Sequence, residues 1–258
     1  MNYSDVFNFP AWSIPQEQQV GILAVACTLA VASLIYALWF SSHERSKYPI
    51  FIFLGAGLSV LYEPMGDVFT KVAYPPLEQI SLFTSFGRPT PLWLLPNYFF
   101  FFCVPVLLFI QFVLQKFTIK RMWVAYGALV LFVGLFEQPG IVGDYWRYYG
   151  EVEAFSLNTY PVWVAFVNAH SIAMIATGVY LLRKHVLPER MSFLFIVLVP
   201  VLFVGNHIAP ALPIVSALYT TTNLLLVNLA AILTISICVI NVWIASTLVH
   251  KSKLSGAA

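Results

Sequence analysis

Charged side chains are scarce in this chain. Only 9% of its 258 residues are Asp, Glu, Lys or Arg, whereas 60% are hydrophobic, and the net charge is +2. Ordinary soluble domains carry about 25% charged residues, so this composition excludes a soluble globular protein. It also excludes a disordered chain and a nucleic-acid-binding protein, which are far more polar or more basic. The class that remains is an integral, multi-pass membrane protein.

Cysteine is also rare. Cys27, Cys103 and Cys238 stand singly in apolar runs without a CxxC pair, so we expect small core side chains rather than disulfides. The segment over residues 1–19 lacks the basic region and short apolar core of a signal peptide, and we expect no cleaved leader. The first membrane span would then direct its own insertion.

Several familiar site motifs are missing. The sequence contains no GxGxxG, no P-loop, no HExxH and no legible Ser-His-Asp order, which disfavours nucleotide-driven, serine-based and zinc-hydrolase chemistry. The last span contains no lysine before Lys251, so a retinal Schiff base is excluded. A metal ion held by Glu63, Asp67, Glu137 and His207 is a minor alternative. We therefore expect neither a metal nor another cofactor.

Long apolar runs dominate the chain. A helix needs about 20 apolar residues to cross a hydrocarbon core of about 30 Å. Seven such runs are found, over residues 20–40, 50–73, 92–115, 122–138, 161–182, 191–209 and 222–249. No connection between them is long enough for a second domain. The sequence therefore predicts an all-α fold in which residues 1–258 form one seven-helix transmembrane bundle.

The two signs of charge fall at opposite ends of the predicted spans. Of the 13 basic residues, all but Lys71, Arg88 and Arg147 follow spans one, three, five and seven. Cytoplasmic loops carry the excess of Lys and Arg, which predicts an outside or lumenal N-terminus and a cytoplasmic C-terminus in the cell or endoplasmic reticulum membrane. All acidic residues except Glu44 and Glu189 belong to the other end. Polar chemistry is therefore expected at the non-cytoplasmic end.

Two carboxyl groups lie deep in span two. Glu63 and Asp67 are spaced i and i+4, which stacks them on one helix face, and at 1.5 Å per residue Glu63 lies roughly 20 Å into the span. A carboxylate at the centre of a membrane helix costs at least about 2.5 kcal/mol, so such residues indicate function. Pro64 and Gly66 predict a kink or an unwound turn between them.

Span four repeats this pattern. Glu137 and Asp144 occur with the same order of Glu, Pro, Gly and Asp as in span two. We therefore predict that all four acidic groups approach one cavity as catalytic residues. In the simpler interpretation the acidic residues only pair with Arg88 and Arg147, whose planar guanidinium groups suit carboxylates.

Histidine, asparagine and aromatic residues complete the candidate site. His170 and His207 either relay protons or join helices by hydrogen bonds. Aromatic residues make up 16% of the chain, and ring faces can stabilise a developing positive charge, although interfacial belts explain many of them. The predicted substrate-binding residues are Tyr62, Trp93, Asn97, Tyr98, Phe136, Tyr145, Trp146, Asn206 and Arg88.

A small seven-helix protein with a few buried acids and many aromatics resembles the membrane-integral terpene cyclases of meroterpenoid pathways. The resemblance covers the whole chain as an architecture, and Glu63 matches the helix-two glutamate of that family in position and role. It implies protonation of a terminal epoxide or olefin of a prenyl chain. The context YEPMGD departs from the family's Trp-Glu pairing, and spans six and seven lack the later helical aspartate.

Three functions fit these features. The first is a membrane-embedded acid/base enzyme that cyclises or isomerises a lipid-soluble isoprenoid in contact with membrane lipids. The second is a proton- or cation-coupled transporter that uses the same acidic cluster. The third is a sensor or assembly subunit without chemistry, which leaves the deep carboxyl groups unexplained. Polar groups at one end favour the enzyme, since a carrier needs them along its whole path.

Overall fold

The computed structural model describes residues 11–150, 152–157 and 159–255. Within this part of the chain, seven helices are long and apolar enough to cross a membrane. They are α1 Gln16–Glu44, α2 Tyr48–Thr70, α3 Leu94–Leu114, α4 Ile119–Val142, α5 Val162–His185, α6 Glu189–Thr220 and α7 Leu224–Ser255. The predicted all-α, seven-helix architecture is confirmed. Asp5 and Glu151, two of the acidic residues assigned above to the non-cytoplasmic end, lie outside the described residues.

Helix α2 changes its winding beside the deep acids. An α-helix over Tyr48–Leu58 is followed by a 3₁₀ segment over Ser59–Tyr62, and a second α-helix covers Glu63–Thr70. The second helix begins just before Pro64, a residue that suits a first helical turn because it lacks an N–H. The predicted irregularity therefore falls one turn before the proline, and Glu63 and Asp67 share one α-helical face.

Helices α4 and α6 both continue beyond the predicted ends of spans four and six, by four and eleven residues. Helix α4 continues through Pro139 to Val142, and helix α6 continues through Pro210 and Pro213 to Thr220. Prolines are poor stop signals in membrane helices, because neighbouring helices and local adjustments satisfy the freed backbone groups. The longer α4 leaves Asp144 just beyond the end of the helix.

Helix α5 forms the centre of the bundle. It packs against α4, α6 and α7, while α2 packs against α6 and α1 packs against α2 and α3. Trp163, Ile172 and Ile175 of α5 are fully buried. Large apolar side chains such as Leu135 of α4 and Val25 of α1 are exposed on the bundle surface. An apolar exterior of this kind is suited to lipid rather than water.

Short β pairs occupy the loops at one end of the bundle, where the sequence indicated only loops. The strands are β1 Val72–Ala73, β2 Ser81–Ser85, β3 Arg88–Pro91, β4 Arg147–Tyr148, β5 Ser156–Leu157 and β6 Tyr160–Pro161. They form three antiparallel pairs, β1 with β4, β2 with β3, and β5 with β6. We call this end, defined by the loops over residues 71–93 and 143–161, the site end. Its β1–β4 pair ties together the loops that follow α2 and α4.

Helices α2 and α6 approach closely at Gly55. A Cβ atom at this position would lie 2.6 Å from the carbonyl oxygen of Phe195 and 2.9 Å from Cβ of Val199. We expect Gly55→Val to lower the free energy of unfolding by about 1–3 kcal/mol, since overpacking forces the helices apart. Thermal unfolding of the purified protein in detergent measures this loss.

Gly127→Val is the matched control for Gly55→Val. A Cβ atom at Gly127 of α4 meets nothing within 4 Å, so this variant should unfold close to the wild-type temperature. Equal unfolding temperatures for the two variants would contradict the close packing of α2 on α6.

Candidate functional site

A cavity of about 100 Å³ opens at the site end of the bundle. It brings together three carboxyl groups and a group of aromatic rings from helices α2 to α6 and the adjoining loops. Its lining consists of Tyr62, Glu63, Gly66, Asp67, Thr70, Val72, Tyr74, Trp93, Leu94, Asn97, Tyr98, Phe101, Phe102, Phe136, Glu137, Trp146, Tyr148, Val164, Asn168, Phe203 and His207. This volume holds a few water-sized groups rather than a whole lipid.

Two tyrosines hold Glu63. The Tyr74 hydroxyl donates to Oε1 and the Tyr98 hydroxyl donates to Oε2, so both carboxyl oxygens accept a hydrogen bond. Tyr74 follows β1, and burial followed by the nearby Glu63 carboxylate raises the pKa of its phenol well above the ordinary value. The phenol therefore remains a neutral donor at physiological pH. Glu63 is fixed in position as a double acceptor.

Asp67 lies one helical turn beyond Glu63 and is only 4% exposed. It lines the same cavity. Within the described part of the chain its carboxyl group accepts no hydrogen bond and has no cation within 4 Å, although the buried Arg88 is near enough to attract it electrostatically. An unpaired carboxyl in a buried setting is costly in its ionised form. Asp67 therefore differs from Glu63 in its surroundings, although both stand on one helix face.

Glu137 is the third carboxyl group, and it comes from α4. Trp146 donates to its Oε2 from the indole Nε1 at 2.9 Å, and the Tyr148 hydroxyl lies 3.4 Å from the same oxygen. Burial, followed by the charge of Glu137, raises the pKa of Tyr148 well above its ordinary value, so this phenol is also a neutral donor. Both donors stand on the loop that follows α4.

The β1–β4 pair positions two of these donors. Val72 is paired with Tyr148, and the backbone N–H of Tyr149 donates to the carbonyl oxygen of Lys71 at 2.9 Å. Tyr74, directly after β1, reaches Glu63, while Tyr148, within β4, reaches Glu137. A two-residue ladder thus sets the relative positions of the groups that hold both glutamates.

Aromatic rings close the cavity on its interior side. The Tyr62 hydroxyl lies 3.2 Å from Nδ1 of His207, and the Tyr62 ring meets Phe203 edge to face at 5.2 Å between centroids. Phe102 packs on Phe203 at 4.2 Å between centroids. The floor of the cavity is therefore apolar, apart from the Tyr62–His207 pair.

Ten of the predicted site residues line this cavity. They are Tyr62, Glu63, Asp67, Trp93, Asn97, Tyr98, Phe136, Glu137, Trp146 and His207. The other five, Asp144, His170, Tyr145, Asn206 and Arg88, are not among its lining residues. The cluster expected around the two deep acidic segments is therefore present, but it excludes Asp144.

The expectation that Asp144 approaches the cavity is wrong. The chain leaves α4 at Gly143, and Asp144, with φ of 59°, turns its side chain toward the surface. There its two carboxylate oxygens accept bidentate hydrogen bonds from Arg147, both at 2.8 Å. Arg147 therefore pairs with a carboxylate, as the simpler interpretation of the sequence expected, and that carboxylate is Asp144.

His170, Asn206 and Arg88 make contacts outside the cavity. Nδ1 of His170 bonds the carbonyl oxygen of Asn206 at 3.0 Å, which joins α5 to α6. The Asn206 side chain donates to the carbonyl oxygen of Leu202 at 2.7 Å. Arg88 is 3% exposed and donates to the carbonyl oxygen of Val72 at 2.8 Å and to the Tyr149 hydroxyl. These contacts position helices and loops around the site.

Sequence reasoning missed two donors and most of the cavity floor. Tyr74 and Tyr148 are not among the predicted site residues, yet each follows its glutamate by 11 residues. That equal spacing was a usable signal. Phe102 and Phe203 gave none, because they lie inside uniformly apolar runs. Asn168, which is also not among the predicted site residues, lines the cavity.

Within the described residues, no three His, Cys, Asp or Glu side chains form a group suited to a metal ion. Comparison of the chain with protein-family models, with curated proteins and with solved structures gave no match. Function is therefore inferred from the geometry of the cavity.

The Asp144–Arg147 pair gives a prediction about pH. Hydrogen bonds from Arg147 lower the pKa of Asp144 in the folded protein, so the pair stabilises the fold above the unfolded-state pKa and loses this effect as the pH falls through the lower folded value. Because the pair is exposed, we expect Asp144→Asn to cost less than about 1 kcal/mol near neutral pH. The difference from wild type should shrink below about pH 4.

Unfolding temperatures of wild type and Asp144→Asn in detergent, measured across this pH range, test the surface placement. A loss of several kcal/mol at neutral pH would contradict it, because a loss of that size requires a buried carboxylate.

Proposed function

We propose that the chain is a membrane-embedded acid/base enzyme that cyclises or isomerises a hydrophobic, isoprenoid-type substrate by protonating an olefin or epoxide. One observation carries this proposal. Three carboxyl groups that differ in their hydrogen bonding face a single aromatic-lined cavity within membrane-spanning helices: Glu63 and Glu137 each accept two hydrogen bonds, and Asp67 accepts none from the described residues. Pairs of titratable groups in unequal environments are the usual arrangement for assigning an acid and a base.

Asp67 is the proposed proton donor. It accepts no hydrogen bond from the described residues, and its burial and the adjacent Glu63 carboxyl group outweigh the attraction of Arg88, so the neutral acid is the less costly form at this depth. Its O–H is then available to the π bond or the epoxide oxygen of a bound substrate. Glu63, held by two tyrosine hydroxyls, serves as a fixed acceptor that orients this end of the cavity.

The aromatic lining supports the cation that protonation creates. Trp93, Phe101 and Phe203 line the cavity, and ring faces attract positive charge. For an olefin, the proton from Asp67 forms a new C–H bond, the resulting cation is attacked by a second double bond, and a C–H bond then breaks. Glu137 takes that last proton, so the reaction is an isomerisation with no net change in atoms or charge on the substrate.

The resemblance to membrane-integral terpene cyclases supports the same chemistry. In that comparison Glu63 holds the position of the helix-two glutamate. The two tyrosine hydroxyls that bind Glu63 favour Asp67 over Glu63 as the group that gives up the proton. The aspartate one turn along the helix then takes the acid role.

A transporter fits the cavity less well. Its polar groups lie at one end of the bundle, and Tyr62, Phe102 and Phe203 pack across its interior side. Alternating access requires a polar route to both faces. This packing favours the enzyme.

The orientation belongs to the same proposal. We place the site end outside or in the lumen and the C-terminus in the cytoplasm, of either the cell membrane or the endoplasmic reticulum membrane. The support is the excess of Lys and Arg at the opposite end, together with the positive-inside rule.

Asp67→Asn tests the proposed acid. An active substrate is first identified by supplying prenylated epoxides and polyenes to the purified protein. We expect its turnover by Asp67→Asn to fall by at least about 100-fold, because an amide cannot supply the proton. Asp144→Asn, which changes an exposed carboxylate, is the matched control and should retain turnover. Product formation is measured by gas chromatography with mass spectrometry.

Two results would count against the enzyme. One is the absence of product from the whole panel; the other is full turnover by both Asp67→Asn and Glu63→Gln. Proton or sodium flux into proteoliposomes that Glu63→Gln abolishes would support the carrier instead.

A C-terminal fusion tests the proposed orientation. Green fluorescent protein attached after the last residue should fluoresce, and alkaline phosphatase at the same place should be inactive, because both report a cytoplasmic terminus in bacteria. The reverse pair of results would place the carboxyl-lined cavity on the cytoplasmic side.

A further inference from the structure

A second, larger hollow lies beside the cavity on the outer surface of the bundle. It is an open groove of about 640 Å³ between α1 and α4, toward the site end. Gly21, Val25 and Leu29 line it from α1, and Leu135 and Pro139 line it from α4. Val25 and Leu135 are exposed. In a membrane this groove faces the hydrocarbon of the bilayer.

The groove and the cavity share a wall. Trp93, Asn97, Phe136 and Trp146 line both. Trp146 connects them directly, because its indole N–H donates to Glu137 on the cavity side while its ring lies against Gly140, which lines the groove. A Cβ atom at Gly140 would lie 1.8 Å from the indole ring. Any side chain larger than that of glycine would therefore clash with Trp146 in this position.

The shared wall contains a polar group without a protein partner. Within the described residues, the buried indole N–H of Trp93 has no hydrogen-bond acceptor. A buried donor of this kind costs about 1–3 kcal/mol unless an acceptor satisfies it. An oxygen atom on a ligand that passes the wall is a suitable acceptor.

Size separates the roles of the two hollows. The cavity, at about 100 Å³, is too small for a hydrophobic substrate, whereas ligand pockets commonly measure about 300–1,000 Å³. The groove falls within that range and is almost wholly apolar. A substrate with its reactive end beside Asp67 must therefore keep the rest of its hydrocarbon chain outside the cavity. The adjoining groove is large enough to hold that chain.

We propose that the groove between α1 and α4 binds the hydrocarbon chain of the substrate, which enters sideways from the bilayer and passes its reactive end between Trp146 and Asn97 into the cavity. This rests on the proposed function, whose substrate it defines as a prenyl chain with one oxygenated or unsaturated end. The substrate reaches Asp67 without leaving the membrane.

A neighbouring groove provides an internal comparison. It lies between α3 and α4, measures about 390 Å³ and is lined by apolar residues such as Val104, Phe112 and Leu129. It has no lining residue in common with the cavity. Any bilayer lipid can occupy it, whereas it offers no route to the carboxyl groups.

Photolabelling tests this proposal independently of turnover. The full chain, in phosphatidylcholine vesicles, is irradiated with a farnesol analogue that carries a diazirine at the hydrocarbon end, and labelled peptides are mapped by mass spectrometry. We expect label on α1 over residues 21–29 and on α4 over residues 135–140, and competition by unlabelled farnesol. Asp67→Asn should keep this labelling, because the hydrocarbon chain binds without the acid.

Gly21→Trp fills the groove, since a Cβ atom at Gly21 meets nothing within 4 Å. Labelling of these segments should fall by at least about tenfold, as expected when an apolar pocket loses its fit. Gly127→Trp is the matched control, because Gly127 is equally open but lies outside both grooves, and it should label as wild type does. Val25→Trp repeats the test from a second position if Gly21→Trp yields no folded protein.

Three results would overturn the proposal: equal labelling of the α1–α4 groove by a phosphatidylcholine with a diazirine in its acyl chain, unchanged farnesol labelling in both groove-filling variants, or label concentrated in the α3–α4 groove. Failure of the proposed function gives a different pattern. In that case the groove labels specifically but no substrate is turned over.

Discussion

A carboxyl group within a membrane-spanning helix must find its hydrogen-bond donors inside the protein, and the site end is built around that constraint. Glu63 and Glu137 receive donors from Tyr74, Tyr98, Trp146 and Tyr148, and three of these four stand on loops rather than on helices. The loops must therefore be held in place. The β1–β4 pair does so across the mouth of the bundle. Helices alone would leave Glu63 with one of its two donors and Glu137 with none.

The three carboxyl groups differ in their hydrogen bonding, and this difference is the basis of the proposed acid and base roles. Glu63 and Glu137 accept hydrogen bonds from fixed side chains, whereas no described residue donates to Asp67. Identical functional groups can serve as acid and base only when their environments differ. The aromatic floor, with Phe102 packed on Phe203, limits water on the interior side and suits a short-lived cation.

Hydropathy predicts the helices because one physical requirement, crossing the hydrocarbon core, fixes both their length and their composition. Partnerships such as Tyr74 with Glu63 are harder to predict, since they depend on how the chain turns after the helix ends. Asp144 illustrates the difficulty: it repeats the place of Asp67 in the motif, but α4 ends before it and the chain turns it toward Arg147. The sequence did not predict the extension of α6 to Thr220, because prolines do not stop a membrane helix as they stop a soluble one.

The short sequence distances between the glutamates and their loop donors bear on how the chain enters the bilayer during synthesis. Tyr74 follows Glu63 by 11 residues, and Trp146 follows Glu137 by 9. Each acidic helix is therefore delivered with a donor on its own trailing loop, before the later helices of the bundle exist. Because β4 follows α4, the β1–β4 pair that holds both loops forms only after four helices have been made, and Glu63 then reaches its final hydrogen bonds with Tyr74 and Tyr98.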